Sequence, residues 1–359
     1  MDVLAFGSGY HGKTLGALSI TSSEEYQRPF RPLLPGVRVL PFGDADALER
    51  EILVLGPEQV AAIVLEPVQG EGGVVVPPER FLMEVERIRV RHGIPVIADE
   101  IQTGLGRTGH WFASVAGGLD PDIVTLAKPL SGGLVAVAAT IARSEMVHAM
   151  LPGFSSRRHS STFAGNGLAM AVALHALEAL VEGGFDQRSR RDGEAGLARL
   201  SALAQAYPGL IAEVRGAGML FAIRLRHALR PALLGGRPEL ARLLSSGLAL
   251  RTLHLGGIHA CISLAANGVV RLTPALDMPD ERAGGTVVAL GARRSAASAG
   301  VAHGGVRRTG ALGASGSHRD AREPIAKPRV RSRGITASTF DASSHHENGH
   351  PEGCPYRLP

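Results

Sequence analysis

The sequence predicts an α/β protein in which a large domain with a mostly parallel sheet precedes a smaller α/β domain. Four short apolar runs rich in β-branched residues are typical of strands that are buried on both faces. An amphipathic helix pattern lies between the first two runs, and parallel strands need such a crossover. A second, smaller α/β region is predicted at roughly 183–280. It contains the segments "GLIAEVRGAGMLFAIRL" and "NGVVRLTPAL".

Each element has its own justification. The predicted strands are "VAAIVLEPV" (60–68), "IPVIADEI" (94–101), "DIVTLAKPL" (122–130) and "LVAVAATIA" (134–142). Between the first two, Pro78 suits a helix start and Gly93 suits its end. The apolar face of this helix would consist of Phe81, Leu82, Val85 and Ile88. A second helix is predicted over 167–182.

These elements divide the chain into three parts. Residues 1–182 are the predicted large domain, residues 183–280 the small C-terminal domain, and residues 281–359 a low-complexity tail. The tail is rich in Arg, Ala, Gly, Ser and His and has only Phe340 and Tyr356 as aromatic residues. Because such a segment buries little apolar surface, it is predicted to be disordered.

Composition excludes several classes of protein. The net charge of +5 allows a nucleic-acid-binding tail as a weak alternative, but without aromatic stacking partners no nucleic-acid partner is predicted. Cys261 and Cys354 are far apart and lack metal-ligand spacing, so neither a disulfide scaffold nor a metal site is expected. The N-terminus does not resemble a signal peptide, and no apolar run reaches membrane-spanning length. The expected location is the cytoplasm, with no membrane partner.

Polar residues end three of the predicted strands. They are Glu66, the pair Asp99-Glu100, and Lys128, and each is followed by a glycine-rich turn. Ligands of parallel sheets bind beyond the carboxyl ends of the strands. A buried lysine is costly, but desolvation lowers its pKa and makes it a nucleophile. A lysine of this kind beside an aspartate favours pyridoxal phosphate chemistry, with a Schiff base on Lys128 and Asp99 at the pyridine nitrogen.

Longer motifs carry a family resemblance. They include "GYHGKTLGALS", "AAIVLEPVQGEGGVVVPPERFL", "IPVIADEIQTGLGRTG", "PDIVTLAKPLSGG" and "HSSTFAGNGLAMAVALHALEAL". This text resembles class III pyridoxal-phosphate aminotransferases of fold type I, particularly the ornithine, acetylornithine and putrescine aminotransferases. The resemblance is dense from about residue 3 to residue 180 and weaker to residue 276.

The resemblance implies a role for each cofactor-binding residue. Lys128 would bind the cofactor covalently and later move the proton between two carbons. Asp99 would face the pyridine nitrogen, and Gln102 would lie near the phenolic oxygen. Ile101 would pack on one face of the ring, and Tyr10, followed by His11, would stack on the other.

The resemblance also implies substrate and subunit contacts. Thr162 would reach the cofactor phosphate of a neighbouring subunit, which implies a homodimer with shared sites. Arg271 would bind a substrate carboxylate when Glu71 releases it. The implied reaction moves an amino group from an amino acid, ω-amine or diamine donor to an oxo acid such as 2-oxoglutarate.

Simpler interpretations stay open for several of these residues. Asp99 could cap a helix, and the hydroxyl of Thr162 could do the same. Tyr10 and His11 could form a structural turn, and Arg271 could be a surface cation. Glu66 is more readily understood as a structural hydrogen-bond acceptor than as a catalyst.

Both ends depart from the family pattern. The family has well over a hundred residues before its Tyr-His-Gly motif, which begins here at Tyr10, and residues 1–9 offer no phosphate-binding loop at a helix N-terminus. The chain is therefore expected to be N-terminally truncated with an atypical tail. The alternatives to transamination are a catalytically impaired remnant, or a pyridoxal-phosphate mutase or decarboxylase on the same fold.

Overall fold

The computed structural model describes residues 1–152, 160–226, 237–255, 257–263 and 268–278. All of them belong to one compact unit, Met1–Gly304. The predicted tail, 281–359, lies outside the described residues.

A six-stranded sheet organises the first 142 residues, in the order β2-β1-β3-β4-β5-β6. The first five strands of this order pair in parallel, and only β6 pairs with its neighbour, β5, in antiparallel orientation. This confirms the predicted α/β class and the mostly parallel sheet. The strands are β1 (Asp2–Phe6), β2 (Val37–Leu40), β3 (Val60–Leu65), β4 (Val96–Asp99), β5 (Ile123–Leu126) and β6 (Ala139–Ala142).

The strands differ from the predictions in two ways. Strands β1 and β2 were not predicted, although β1 lies between β2 and β3 inside the sheet. The run 134–142 contributes a strand only over Ala139–Ala142. Only a short 3-10 helix, Lys128–Ser131, separates β5 from β6. Left-handed Gly132 and Gly133 then turn the chain, so the two strands run in opposite directions.

Helices cover the sheet and continue beyond it. In α4, the four predicted apolar side chains are all buried against the sheet, and Gly93 ends the helix in the left-handed conformation. The predicted helix over 167–182 is α7. The helices are α1 (Leu15–Ile20), α2 (Glu24–Gln27), α3 (Ala45–Leu55), α4 (Phe81–His92), α5 (Ala113–Ala116), α6 (Ser144–Met150), α7 (Gly167–Glu182), α8 (Phe185–Ala206) and α9 (Pro238–Leu255).

A second, antiparallel sheet lies within the predicted small domain, in the order β7-β8-β10-β9. Its core joins Leu200 of α8 to Phe221 and Val270 of the sheet. The domain boundary near residue 182 stays a prediction. The strands are β7 (Ile211–Ala217), β8 (Leu220–Leu225), β9 (Cys261–Ile262) and β10 (Val269–Leu272).

Among the residues that the structure describes, no helix is by itself long and apolar enough to cross a bilayer. Helices α7 and α8, which are bent by 61° relative to each other, meet the length and composition criteria only as a pair.

A buried aspartate organises the amino ends of β4 and β5. Asp122 accepts the backbone N–H of Val96 at 2.8 Å and lies 3.3 Å from Arg89 and 3.2 Å from Arg143. Its side chain is 9% exposed. The neighbouring Asp120 also pairs with Arg143, at 2.6 Å, but is 62% exposed.

We therefore predict that Asp122→Ala destabilises the protein by about 2–4 kcal/mol, because it leaves a buried N–H without its acceptor and removes one ion-pair partner from each of Arg89 and Arg143. Asp120→Ala, the matched control, should cost about 0–1 kcal/mol because water screens its ion pair. Urea denaturation of both variants checks this. Equal losses would show that Asp122 is no more than a surface charge.

Candidate functional site

Three neighbouring parallel strands bring the predicted polar residues to one edge of the large sheet. Glu66 follows the end of β3, Asp99 ends β4, and Lys128 comes two residues after β5. Because β3, β4 and β5 are adjacent and parallel, their carboxyl ends meet. The sequence prediction of a shared site at this edge is consistent with the topology.

Lys128 lies at the centre of this group of charges. Lys128 is exposed to solvent in this structure, but partial burial of its amine still lowers its pKa; nearby Arg271 lowers it further, while Glu71, Glu66 and Asp99 act in the opposite direction. Lys128 also has a left-handed backbone, with φ of 41°, which is strained for a residue with a side chain. The amine is thus neutral, and nucleophilic, at a lower pH than a solvated lysine.

Asp99 is held on both carboxylate oxygens. His11 Nδ1 lies 2.8 Å from Oδ2, while the backbone N–H of Ile101 and the hydroxyl of Thr125 donate to Oδ1, each at 3.2 Å. No helix begins at Asp99, so the helix-cap interpretation does not apply. These contacts hold the buried carboxylate of Asp99 in one orientation at the end of β4.

Glu66 and Glu100 are both buried, and both bind backbone donors. Glu66 accepts the N–H of Tyr10 at 2.8 Å and of Gly70 at 3.0 Å. Burial raises the pKa of Glu66 to about 7, although nearby His11 and these hydrogen bonds lower it. Glu100 accepts from the backbone and hydroxyl of Ser114, each at 2.7 Å, and burial raises the pKa of Glu100 as well. Both residues therefore have the contacts of structural acceptors.

Glu71 and Arg271 form an ion pair between the loop after β3 and strand β10. Arg271 Nη1 lies 2.5 Å from Glu71 Oε1, and the two side chains are only 11% and 10% exposed. Arg271 is thus not a surface cation. Its buried Nε has no hydrogen-bond partner among the residues that the structure describes. A buried, under-satisfied guanidinium is suited to a bound carboxylate.

The loop that carries Glu71 packs on the second sheet. Val68 and Val74 contact Leu220 and Val269, and the hydroxyl of Ser263 donates to the Glu71 carbonyl. The backbone of this loop is closed by reciprocal hydrogen bonds between residues 69 and 75. Glu71 is therefore fixed from both sheets.

The aromatic and amide residues occupy defined positions. The Tyr10 ring contacts the Tyr26 ring edge-on, with centroids 6.2 Å apart. A Cβ on Gly70 would lie 1.4 Å from Gln102 Oε1, so a larger residue at position 70 would require the end of the Gln102 side chain to move from its present position. In the sequence, Tyr10 is next to His11, and Ile101 and Gln102 follow Asp99 by two and three positions. Their predicted contacts with the cofactor stay predictions.

Thr162 does not join this group. It lies in an exposed turn before α7, and its side chain makes no hydrogen bond within the described part of the chain. Its predicted contact with the cofactor phosphate of a neighbouring subunit stays a prediction.

Sequence reasoning missed three contributing residues. Thr125 is the register partner of Asp99, and register is not readable from one sequence. Ser263 lies 192 residues from its partner Glu71. Arg107 was visible as a cation among the glycines of "TGLGRTG" but was given no role. Of these, only Arg107 had a local signal.

The group of residues around Lys128 fits the aldehyde and the pyridine ring of pyridoxal phosphate. No hydrogen bond or salt bridge joins the side-chain amine of Lys128 to another described residue, so this amine, whose pKa is lowered, can react with an aldehyde. Asp99 offers a fixed carboxylate to a pyridinium nitrogen. No cluster of three or more His, Cys, Asp or Glu side chains in the described ranges could hold a metal ion instead.

Comparison with known proteins agrees with this chemistry. A family profile described as "Aminotransferase class-III" matches residues 1–284. An amine transaminase from an uncultivated Pseudomonas species, solved in a PLP-bound form, is 29% identical with a TM-score of 0.72. The ornithine aminotransferase from Toxoplasma gondii ME49 is 30% identical with a TM-score of 0.72, and a transaminase from the marine bacterium Virgibacillus is 25% identical with a TM-score of 0.71.

These matches cover 82%, 83% and 80% of this chain. In the other direction, the chain spans only 69%, 66% and 66% of the length of those proteins, about two thirds. The family profile extends over most of the sequence and includes Lys128, Asp99 and Arg271. The chain therefore belongs to the class III aminotransferases, pyridoxal-phosphate-dependent enzymes of fold type I.

Proposed function

We propose that this chain moves an amino group from an amine-ended donor to an oxo acid, with Lys128 as the catalytic residue. The observation that carries the proposal is the convergence of the Lys128 amine with the carboxylates of Asp99 and Glu71 and the guanidinium of Arg271. A mutase or decarboxylase would use the same lysine but would not need an arginine for the carboxylate of an acceptor.

Lys128 would act twice. Its lowered pKa supports attack by the neutral amine on the cofactor aldehyde, and the same amine, once displaced by substrate, would take up and return the proton. Pyridoxal phosphate, when bound, supplies a ring that accepts the electrons released at the substrate carbon.

Other side chains would hold the cofactor. The Asp99 carboxylate would keep a proton on the pyridine nitrogen, a charged hydrogen bond worth about 1.5–3 kcal/mol. His11 positions that carboxylate through its 2.8 Å contact. Tyr10 and Ile101 would pack on the two faces of the ring, and Gln102 would lie near its phenolic oxygen.

The Arg271–Glu71 pair would decide which substrate enters. With the pair closed, the guanidinium is neutralised and the pocket suits a donor that brings an amine. With the pair open, Arg271 would bind the carboxylate of an oxo acid such as 2-oxoglutarate bidentately. Among the proteins compared, one is named an amine transaminase and another an ornithine aminotransferase, which supports a donor with a terminal amine.

A second copy of the chain would complete the site. Helix α7 and the turn before it carry three apolar side chains with exposed fractions of 77% (Phe163), 68% (Leu168) and 60% (Leu174). Leu134, six residues after Lys128, is 80% exposed. Contiguous exposed apolar side chains mark interaction surfaces. Thr162 is next to Phe163 in the sequence. A homodimer that formed through this apolar surface would therefore bring Thr162 close to the partner subunit, where its predicted contact with the cofactor phosphate could form. We also propose the cytoplasm as the location.

The first prediction from the proposed function concerns Lys128. The sequence has three lysines, Lys13, Lys128 and Lys327. Borohydride reduction of the pyridoxal-phosphate-loaded protein should fix the cofactor on the Lys128 peptide, as read by mass spectrometry. Lys128→Ala should lose the label and lower turnover by roughly a hundredfold or more. Lys13→Ala is the control and should keep the label.

Label on Lys13 or Lys327 would overturn the assignment. A wild-type chain that takes up no label would contradict the proposed activity and support the impaired-remnant alternative instead.

The second prediction separates the two half-reactions. Arg271→Ala should weaken 2-oxoglutarate binding by roughly tenfold to a hundredfold, because a charged hydrogen bond is lost, and should change the donor half-reaction much less. Glu71→Gln frees the arginine and should strengthen 2-oxoglutarate binding. Single-turnover kinetics with donor alone and with acceptor alone measures both. Equal losses in both half-reactions would indicate a purely structural pair.

The third prediction tests the shared site by mixing two inactive variants, Lys128→Ala and Thr162→Ala. If Thr162 serves the partner's site, each mixed dimer keeps one intact site. A refolded equimolar mixture should then recover about a quarter of wild-type activity. No recovery, with mixed dimers demonstrated by mass, would place Thr162 in its own chain's site, and a Thr162→Ala variant with wild-type activity would place it in neither site.

A further inference from the structure

Arg107 links the loop after β4 to the segment that follows β10. It lies five residues after Gln102, and its Nη1 donates to the carbonyl of Met219 at 3.1 Å and to the carbonyl of Pro274 at 2.5 Å. Pro274 is three residues beyond Arg271. One side chain therefore joins the loop that carries the predicted cofactor contacts to the strand that carries the carboxylate-binding arginine.

The charge of Arg107 is not balanced by an acid. No carboxylate lies within ion-pair distance of it among the described residues, and desolvation lowers the pKa of Arg107 to about 10. Even a partly buried cation such as Arg107, held only by carbonyl dipoles, is costly compared with an apolar side chain of the same volume. Stability alone gives little reason for a cation at this position.

The backbone around Arg107 is equally close to the second sheet. The Arg107 carbonyl accepts the N–H of Met219 at 3.0 Å and the hydroxyl of Ser189 at 2.9 Å. A Cβ on Gly218 would lie 2.6 Å from the Arg107 carbonyl oxygen and 2.7 Å from the Gly109 nitrogen. The turn between β7 and β8 is thus pressed against this loop, and the guanidinium extends the same contact as far as Pro274.

From this geometry we infer that Arg107 is a positioning residue that holds Arg271 at the correct distance from the Asp99–Gln102 segment and so sets the affinity for dicarboxylates. The inference deepens the proposed function and rests on it. Arg107 does not itself touch the proposed substrate. It fixes the end of β10, so that Arg271 meets both Glu71 and an incoming carboxylate without first having to order its own strand.

A neighbouring arginine provides the matched control. Arg190, on α8, donates to the carbonyl of Gly109 at 3.0 and 3.3 Å, so it binds the same loop from its exposed side. It does not contact the segment after β10 in the described structure. Arg190→Gln should therefore remove a comparable set of hydrogen bonds without freeing Arg271.

The experiment compares wild type, Arg107→Gln, Arg107→Lys and Arg190→Gln, each loaded with pyridoxal phosphate. Calorimetric titration with glutarate, an unreactive dicarboxylate, measures acceptor-site affinity, and hydrogen exchange of residues 269–272 measures the order of β10. Arg107→Gln should raise the glutarate Kd about tenfold and speed this exchange about tenfold, as expected for loss of a charged hydrogen bond. Arg107→Lys should recover part of both effects. The donor half-reaction should change less than about threefold.

The outcomes separate this inference from the proposed function. Wild-type values for glutarate and for exchange in Arg107→Gln would overturn the inference while leaving transamination intact. So would equal effects in Arg190→Gln, or failure of both Arg107 variants to fold, since Arg107 would then be a residue of general stability. If the wild-type chain binds no cofactor, the proposed function fails, and the exchange of residues 269–272 without cofactor still decides whether Arg107 orders β10.

Discussion

The site depends on the parallel pairing of β3, β4 and β5. Side chains from three segments, 66, 99 and 128, come together only because those strands end at the same edge of the sheet. An antiparallel arrangement of any one strand would send its terminal residue to the opposite edge, where Asp122 organises the amino ends instead. The two edges of the sheet therefore differ in role. The edge at the amino ends is stabilised by ion pairs and backbone contacts, and the edge at the carboxyl ends holds the side chains suited to catalysis.

Mixed charges allow acidic side chains to be buried at this edge. An exposed lysine, Lys128, and a partly buried arginine, Arg271, face the buried carboxylates of Glu66, Glu71 and Asp99. No single pair of these charges would offset its desolvation well, but a mixed group does so collectively and leaves some atoms under-satisfied, such as Arg271 Nε. Under-satisfied buried groups are where a ligand gains the most, because binding supplies the missing partners.

Sequence alone predicted those features that depend on local pattern. The face of α4, the span of α7 and the polar strand ends all follow from spacing within a few residues. It did not predict β1 or β2, which are short and lie next to glycine-rich or proline-rich text, nor the reversal at β6. It also could not find Thr125 or Ser263, because cross-strand register and contacts between distant segments are properties of the assembled fold. The pairing of Glu71 with Arg271, 200 positions apart, was foreseen only through family resemblance.

The absence of a side chain at Gly70 determines the conformation of a residue in another loop. The space that its missing methyl group would fill is occupied by the carboxamide of Gln102. A larger residue at position 70 would push the end of the Gln102 side chain into a different rotamer. Position 70 therefore controls where the Gln102 amide presents its donor and acceptor, although it contributes no polar side chain of its own.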